Sequence, residues 1–164
     1  MRAIQGNSMM KKLPKDALNM PKNSSASSKR SYLDYPHLAS VEEFLEGMEK
    51  MGALLVLLFG SVAKGDFTQN SDADVLVVFP KPVDWLEVYA YSDGLVQPLV
   101  KTLDAVINRV NQGDPFMCEI IEDGIPLSDK KDLYPKLQVA VKKAKKRWGL
   151  VRTPEGWKWK TKQD

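Results

Sequence analysis

The sequence predicts an α/β (α+β) chain built on a small mixed β-sheet with flanking helices. Two observations predict it. Short apolar runs at 54–59 and 74–79 are hydrophobic on both faces, as strands covered by two layers are. Around them lie segments with apolar residues at helical spacing, punctuated by polar caps, Gly and Pro. Helices and strands therefore alternate, and 164 residues favour one domain.

Residues 1–36 are polar, with Pro14, Pro21 and the run Asn23-Ser24-Ser25-Ala26-Ser27-Ser28. They show no sustained periodicity and predict a disordered basic leader. Ser40, followed three residues later by Glu43, reads as a capping box that opens a helix. Val41, Phe44, Leu45, Met48 and Met51 share one face of that helix, and Gly52 ends it. Strand 54–59 follows. Gly60 and Ser61 turn the chain into a short helix at 62–64, and 65–71 reads as a loop. Strand 74–79 is stopped by Pro80 and Pro82. Residues 83–91 predict a short helix, and 95–101 a third strand, interrupted or edged by Pro98.

Thr102 caps a helix reaching about residue 110. Asp114 caps another, with Pro115 at its favoured first position and Gly124 at its end. A short strand is expected at 125–127. The last helix runs over 130–148. Its stripe is Leu133, Leu137, Ala140, Val141, Ala144 and Trp148, and Lys142, Lys143, Lys145, Lys146 and Arg147 crowd the other side. Thr153-Pro154-Glu155-Gly156 reads as the turn of a hairpin at 150–159. The chain thus divides into the leader at 1–36, a domain at 37–148 and a basic C-terminal tail at 149–164.

Composition narrows the chemistry. His37 and Cys118 are the only histidine and cysteine. An internal disulfide, a zinc–histidine site and a histidine-based triad are therefore excluded. Catalysis must rest on carboxylates, hydroxyls, lysines or a bound metal, and a reducing, cytoplasmic setting fits. No apolar run reaches the ~18 residues of a membrane helix, and the basic N-terminus has no apolar stretch behind it that would make a signal peptide. No membrane association is expected. The net charge of +3 is uneven. Residues 1–36 carry seven Lys/Arg against two acids (+5), and 142–164 carry nine against two (+7), leaving 3 − 5 − 7 = −9 between them. Solvated tails explain this simply. Docking of an acidic partner or a nucleic-acid backbone is the sharper, less favoured reading.

The chemistry concentrates at the end of the first strand. A glycine there lets a phosphate approach the backbone, and Ser61 with the following N–H groups can bind its oxygens. Asp72 and Asp74, two apart at a strand start, project from the same face with Cα atoms roughly 6–7 Å apart. Paired carboxylates repel unless a cation neutralises them, and magnesium takes one or two carboxylates together with phosphate oxygens.

The stretch Leu58-Phe59-Gly60-Ser61-Val62-Ala63-Lys64-Gly65, followed at the right distance by Ser71-Asp72-Ala73-Asp74-Val75-Leu76-Val77-Val78, resembles the signature of the DNA polymerase beta-type nucleotidyltransferase superfamily. It is most similar to the minimal nucleotidyltransferase branch, and the likeness extends over about residues 40–130. The resemblance implies the nucleotidyltransferase fold and a magnesium-dependent transfer of a nucleoside monophosphate, AMP from ATP or another NTP, to an acceptor hydroxyl. It implies Gly60, Ser61, Lys64 and Ser71 as nucleotide-binding and Asp72 and Asp74 as catalytic metal ligands. It further implies a HEPN-type protein partner and an antitoxin role.

The superfamily places a third carboxylate on the next strand, where the alignment puts Gln97. Glu87 or Asp104 takes that role, or activity is reduced or lost. With strand and helix reassigned over 85–91, Glu87 becomes the third acid. The alternative function is a catalytically impaired nucleotide-binding or partner-binding module of the same fold. Cys118 reads as core packing, and Trp157 and Trp159 as pins of the terminal hairpin.

Overall fold

The computed structural model describes residues 30–160. A four-stranded sheet has the order β3-β2-β1-β4, with β1 Leu55–Phe59, β2 Ala73–Phe79, β3 Val96–Thr102 and β4 Ile125–Asp129. β1 runs antiparallel to both β2 and β4, whereas β2 and β3 are parallel. The parallel pair requires a crossover, supplied by the short helix α3, Trp85–Tyr89. The two prolines in the sheet, Pro98 of β3 and Pro126 of β4, both lie on edge strands, where a missing N–H is tolerated.

Alternation along the strands splits the core in two. Val56, Leu58, Val75, Val77 and Phe79 face one layer, with α1 (Leu38–Lys50) and α3 packed on it through residues such as Phe44, Met48 and Val88. Leu55, Leu57, Leu76 and Val78 face the other, covered by α4 (Leu103–Asn111), α5 (Pro115–Asp123) and α6 (Leu133–Trp148). The remaining helix, α2 (Gly60–Lys64), closes the end of the sheet between β1 and β2. A terminal hairpin of β5 (Leu150–Thr153) and β6 (Gly156–Trp159) places Leu150 and Trp157 on the second core. The α/β class and the mixed sheet are as expected.

Some boundaries differ from expectation because a contact outside the helix or the segment outweighs the signal within it. Ser40 does not cap α1. The helix begins at Leu38 after His37, which makes no side-chain cap bond, and the Ser40 hydroxyl donates instead to Asp93 Oδ2 at 2.5 Å. The last helix starts at Leu133 because Asp129, at the end of β4, accepts from the Leu133 and Tyr134 N–H groups at 2.8 Å each. The expected leader overlaps ordered chain. Tyr32 and Tyr35 are buried beside a 3-10 turn at Tyr32–Asp34, while residues 1–29 lie outside the described residues. Among the described residues no helix is long and apolar enough to cross a membrane.

Candidate active site

Gly60 turns β1 into α2 with a φ of +76°, a conformation that strains any residue carrying a Cβ. Space forbids a side chain as well, because a Cβ at residue 60 would stand 2.5 Å from Asp74 Oδ2. The closeness follows from the sheet, since Phe59 and Asp74 are register partners across β1 and β2. Asp74 shares its face with Leu76 and Val78, both in the second core, so its carboxylate sits at the rim of that core, half-buried.

Asp72 immediately precedes β2 and is exposed. Burial, and then the Asp72 charge, raise the Asp74 carboxyl above its ordinary range. Neither carboxylate has a hydrogen bond or an ion pair with another described residue. Two neighbouring like charges without a counter-cation, one of them half-buried, fit a divalent cation. No group of three or more His, Cys, Asp or Glu among the described residues forms an all-protein metal cage. A cation here would complete its shell with phosphate oxygens and water, as magnesium commonly does.

The strand register decides which residue flanks the pair. Gln97 of β3 is the direct partner of Asp74 and shares its face. Its amide nitrogen donates to the Gly94 carbonyl at 3.5 Å. Glu87 is exposed on α3, whose Val88 packs into the core on the opposite face of the sheet, so Glu87 is not brought to the aspartates. Asp104 is no nearer. It follows Thr102, the partner of Phe79 at the far end of β2, about 16 Å along the strand from Asp74. The position beside Asp74 is held by an amide.

The expected phosphate-binding residues separate into two groups. Gly60 and Ser61 form the first turn of α2, and the Ser61 hydroxyl has no partner among the described residues. Ser71 and Lys64 are engaged elsewhere. The Ser71 hydroxyl accepts from Thr68 N at 2.9 Å and closes a turn within the loop. Lys64 Nζ lies 3.0 Å from Glu119 Oε1 and 4.0 Å from Asp123 Oδ2, both on α5. Arg152 of β5 reaches the same two acids, so α2, α5 and the hairpin are joined by one charge network. Cys118 is buried on α5, and burial pushes its thiol up to about 11, so it stays protonated and is no nucleophile.

Three residues that sequence reasoning passed over border the site. Tyr35 donates its hydroxyl to the Ser71 carbonyl at 2.5 Å. Asp93, before β3, is held ionised chiefly by the Ser40 hydroxyl and then by the Leu95 N–H. Phe116, exposed in the first turn of α5, meets Phe59 edge-on with ring centroids 6.1 Å apart. Only Phe116 left a local signal, an aromatic directly after the Asp114-Pro115 helix start. The other two act through residues more than thirty positions away in the chain.

A glycine-led turn stands against the Asp74 carboxylate at one end of a mixed sheet, with Asp72 two residues before it in the chain. Residues 41–153 match the nucleotidyltransferase domain family. The chain belongs to that family. It is 31% identical over 77 residues to a protein of Methanocaldococcus jannaschii named as a putative protein adenylyltransferase, a match covering 47% of this chain and 78% of that one. Among solved structures it resembles a putative nucleotidyltransferase from Sulfolobus solfataricus (23% identity, TM-score 0.43, covering 69% of this chain and 95% of that one). It also resembles a toxin-antitoxin structure with AMP-PNP (16% identity, TM-score 0.43, covering 65% and 85%).

Proposed function

We propose that the protein transfers AMP from ATP, with magnesium, to a hydroxyl on a partner protein of the HEPN type, in an antitoxin role. The observation that carries this reading is the uncompensated Asp72–Asp74 pair, with Asp74 set against Gly60 across β1 and β2. The likeness to the M. jannaschii protein supports AMP as the group moved and a protein as its acceptor.

Asp72 and Asp74 hold the metal, which when bound offsets the negative charge of the triphosphate. The Gly60 turn leaves room for a phosphate at the backbone, and the Ser61 hydroxyl and α2 N–H groups bind its oxygens. Phe116 offers a nucleobase an exposed ring on the same side of the sheet. The acceptor oxygen bonds to the α-phosphorus, the α–β anhydride bond breaks, and pyrophosphate leaves. Gln97 can orient a hydroxyl but takes no proton, so the proton leaves through the acceptor or solvent. A partner chain supplies the wall that encloses the acceptor.

The test is transfer of label from α-labelled ATP onto candidate partner proteins. Wild type should label a partner, and Asp74→Asn should lower the rate by at least ~100-fold, the upper end of what loss of a residue that merely supports a metal ligand costs. Absence of label with every partner would reject the enzyme reading. The Asp74–Gln97 register favours a second reading, a site that binds nucleotide without turning it over. On that reading Gln97→Asp gains transfer that wild type lacks.

A further inference from the structure

The loop 65–71 joins the Gly60-Ser61 turn to Asp72, and residues 30–37 run across it. The hydrogen bonds between them fall on every second loop carbonyl. The Gly65 carbonyl accepts from Arg30 N at 3.5 Å, and the Phe67 carbonyl from the Arg30 guanidinium. The Gln69 carbonyl meets His37 Nε2 at 3.0 Å, and the Ser71 carbonyl accepts from the Tyr35 hydroxyl at 2.5 Å. Packing repeats the pattern. The Arg30 guanidinium lies 4.1 Å over the Phe67 ring, and Tyr35 stands edge-on to both Phe67 and His37 with centroids 5.5 Å apart in each case. At residue 65 a Cβ would run into the Arg30 carbonyl, so glycine keeps this approach open.

A loop whose alternate carbonyls are all taken by one neighbouring segment is held in one path. The last of these carbonyls belongs to the peptide that leads into Asp72. We infer that residues 30–37 form a strap that aims the Asp72 carboxylate, with the Tyr35 hydroxyl as its positioning residue. This inference rests on the reading of Asp72 and Asp74 as the metal pair. Burial first, then the charges of Asp72, Asp93 and Asp74, raise the Tyr35 phenol, so it remains a donor at neutral pH. Tyr35 is 3% exposed, and its hydroxyl acts through the Ser71 carbonyl on Asp72.

The experiment is Mn2+ titration of the full chain, followed by the free-ion EPR signal, with thermal unfolding measured on the same samples. Tyr35→Phe keeps the ring and removes only the hydroxyl. It should weaken Mn2+ binding by about three- to tenfold, the effect of one hydrogen bond, with little change in Tm. Arg30→Met, which loosens the strap farther from Asp72, should weaken it less. Unchanged affinity in Tyr35→Phe, with binding lost in Asp74→Asn, would overturn the strap and leave the metal pair standing. Unchanged affinity in Asp74→Asn would remove the metal pair and the strap's purpose with it. A Tm loss in Tyr35→Phe as large as that of the core variant Phe67→Leu, with affinity falling in step in both, would make Tyr35 a packing residue and overturn the inference.

Discussion

At position 60 two constraints coincide. The backbone is left-handed and the nearest neighbour of any added carbon is the Asp74 carboxylate. Gly60→Ala should therefore do more harm to activity than to folding. The backbone strain costs about 1–2 kcal/mol, while the displaced carboxylate should reduce nucleotidyl transfer to near background, checked by denaturant unfolding beside the labelling assay. Asp74 carries a second expectation. Its carboxyl titrates above the ordinary range in the folded chain, so between the unfolded and folded values the native state binds more protons than the unfolded state. Metal-free stability therefore falls as pH rises through that window. Asp74→Asn should raise the Tm of metal-free protein at neutral pH, and the gain should fade at acid pH where both forms are protonated. Added Mg2+ should raise the wild-type Tm and leave that of the variant unmoved, as differential scanning fluorimetry can show.

At the scale of elements, caps sort what was legible from what was not. Thr102 accepts from Ala105 N at 3.1 Å and Asp114 from Phe116 N at 3.0 Å, as expected from signals contained within one helical turn. Ala substitution of either should cost about 1 kcal/mol. Ser40→Ala should cost less than a cap, because its exposed hydroxyl serves Asp93 and not the helix end. The Gly-Ser turn, the Asp-x-Asp strand and the hairpin were readable for the same local reason. The strap at 30–37 was not, since Arg30 and Tyr35 find their partners 37 and 36 residues away. The placement of Glu87 away from the aspartates turns on a point that spacing alone does not carry. Which strand pairs with β2, and in what register, is settled by the packing of both layers. Charge on α5 gathers its neighbours, with Lys64, Lys145 and Arg152 all ending on Glu119, Glu122 or Asp123. These pairs are partly exposed, so Arg152→Ala should cost only about 0.5–1 kcal/mol. Leu150→Ala, in the core beneath the same hairpin, should cost about 2–3 kcal/mol in chemical denaturation.

Over the whole molecule the two signs of charge occupy different places. Helix α6 contains no acid, and Lys142, Lys143, Lys146 and Arg147 stay exposed on it, whereas Asp72, Asp74 and Asp93 gather at the end of the sheet. The edge prolines bear on how another chain can approach. In a strand the nitrogen and carbonyl of one residue point the same way. Pro98 therefore turns toward its open side a nitrogen with nothing to donate and a carbonyl already taken by Trp85 Nε1 at 3.0 Å. Pro126 interrupts the other margin. Neither margin offers the unbroken ladder that strand addition needs, which leaves an incoming protein the helical faces and the carboxylate-bearing end. Restoring a donor with Pro98→Thr while uncovering the carbonyl with Trp85→Ala should open the β3 margin to self-pairing, visible as concentration-dependent association in sedimentation velocity. For the protein acceptor proposed above, a β3 margin without a free ladder would disfavour docking as a fifth strand and leave the approach to the end that carries Asp72, Asp74 and Asp93.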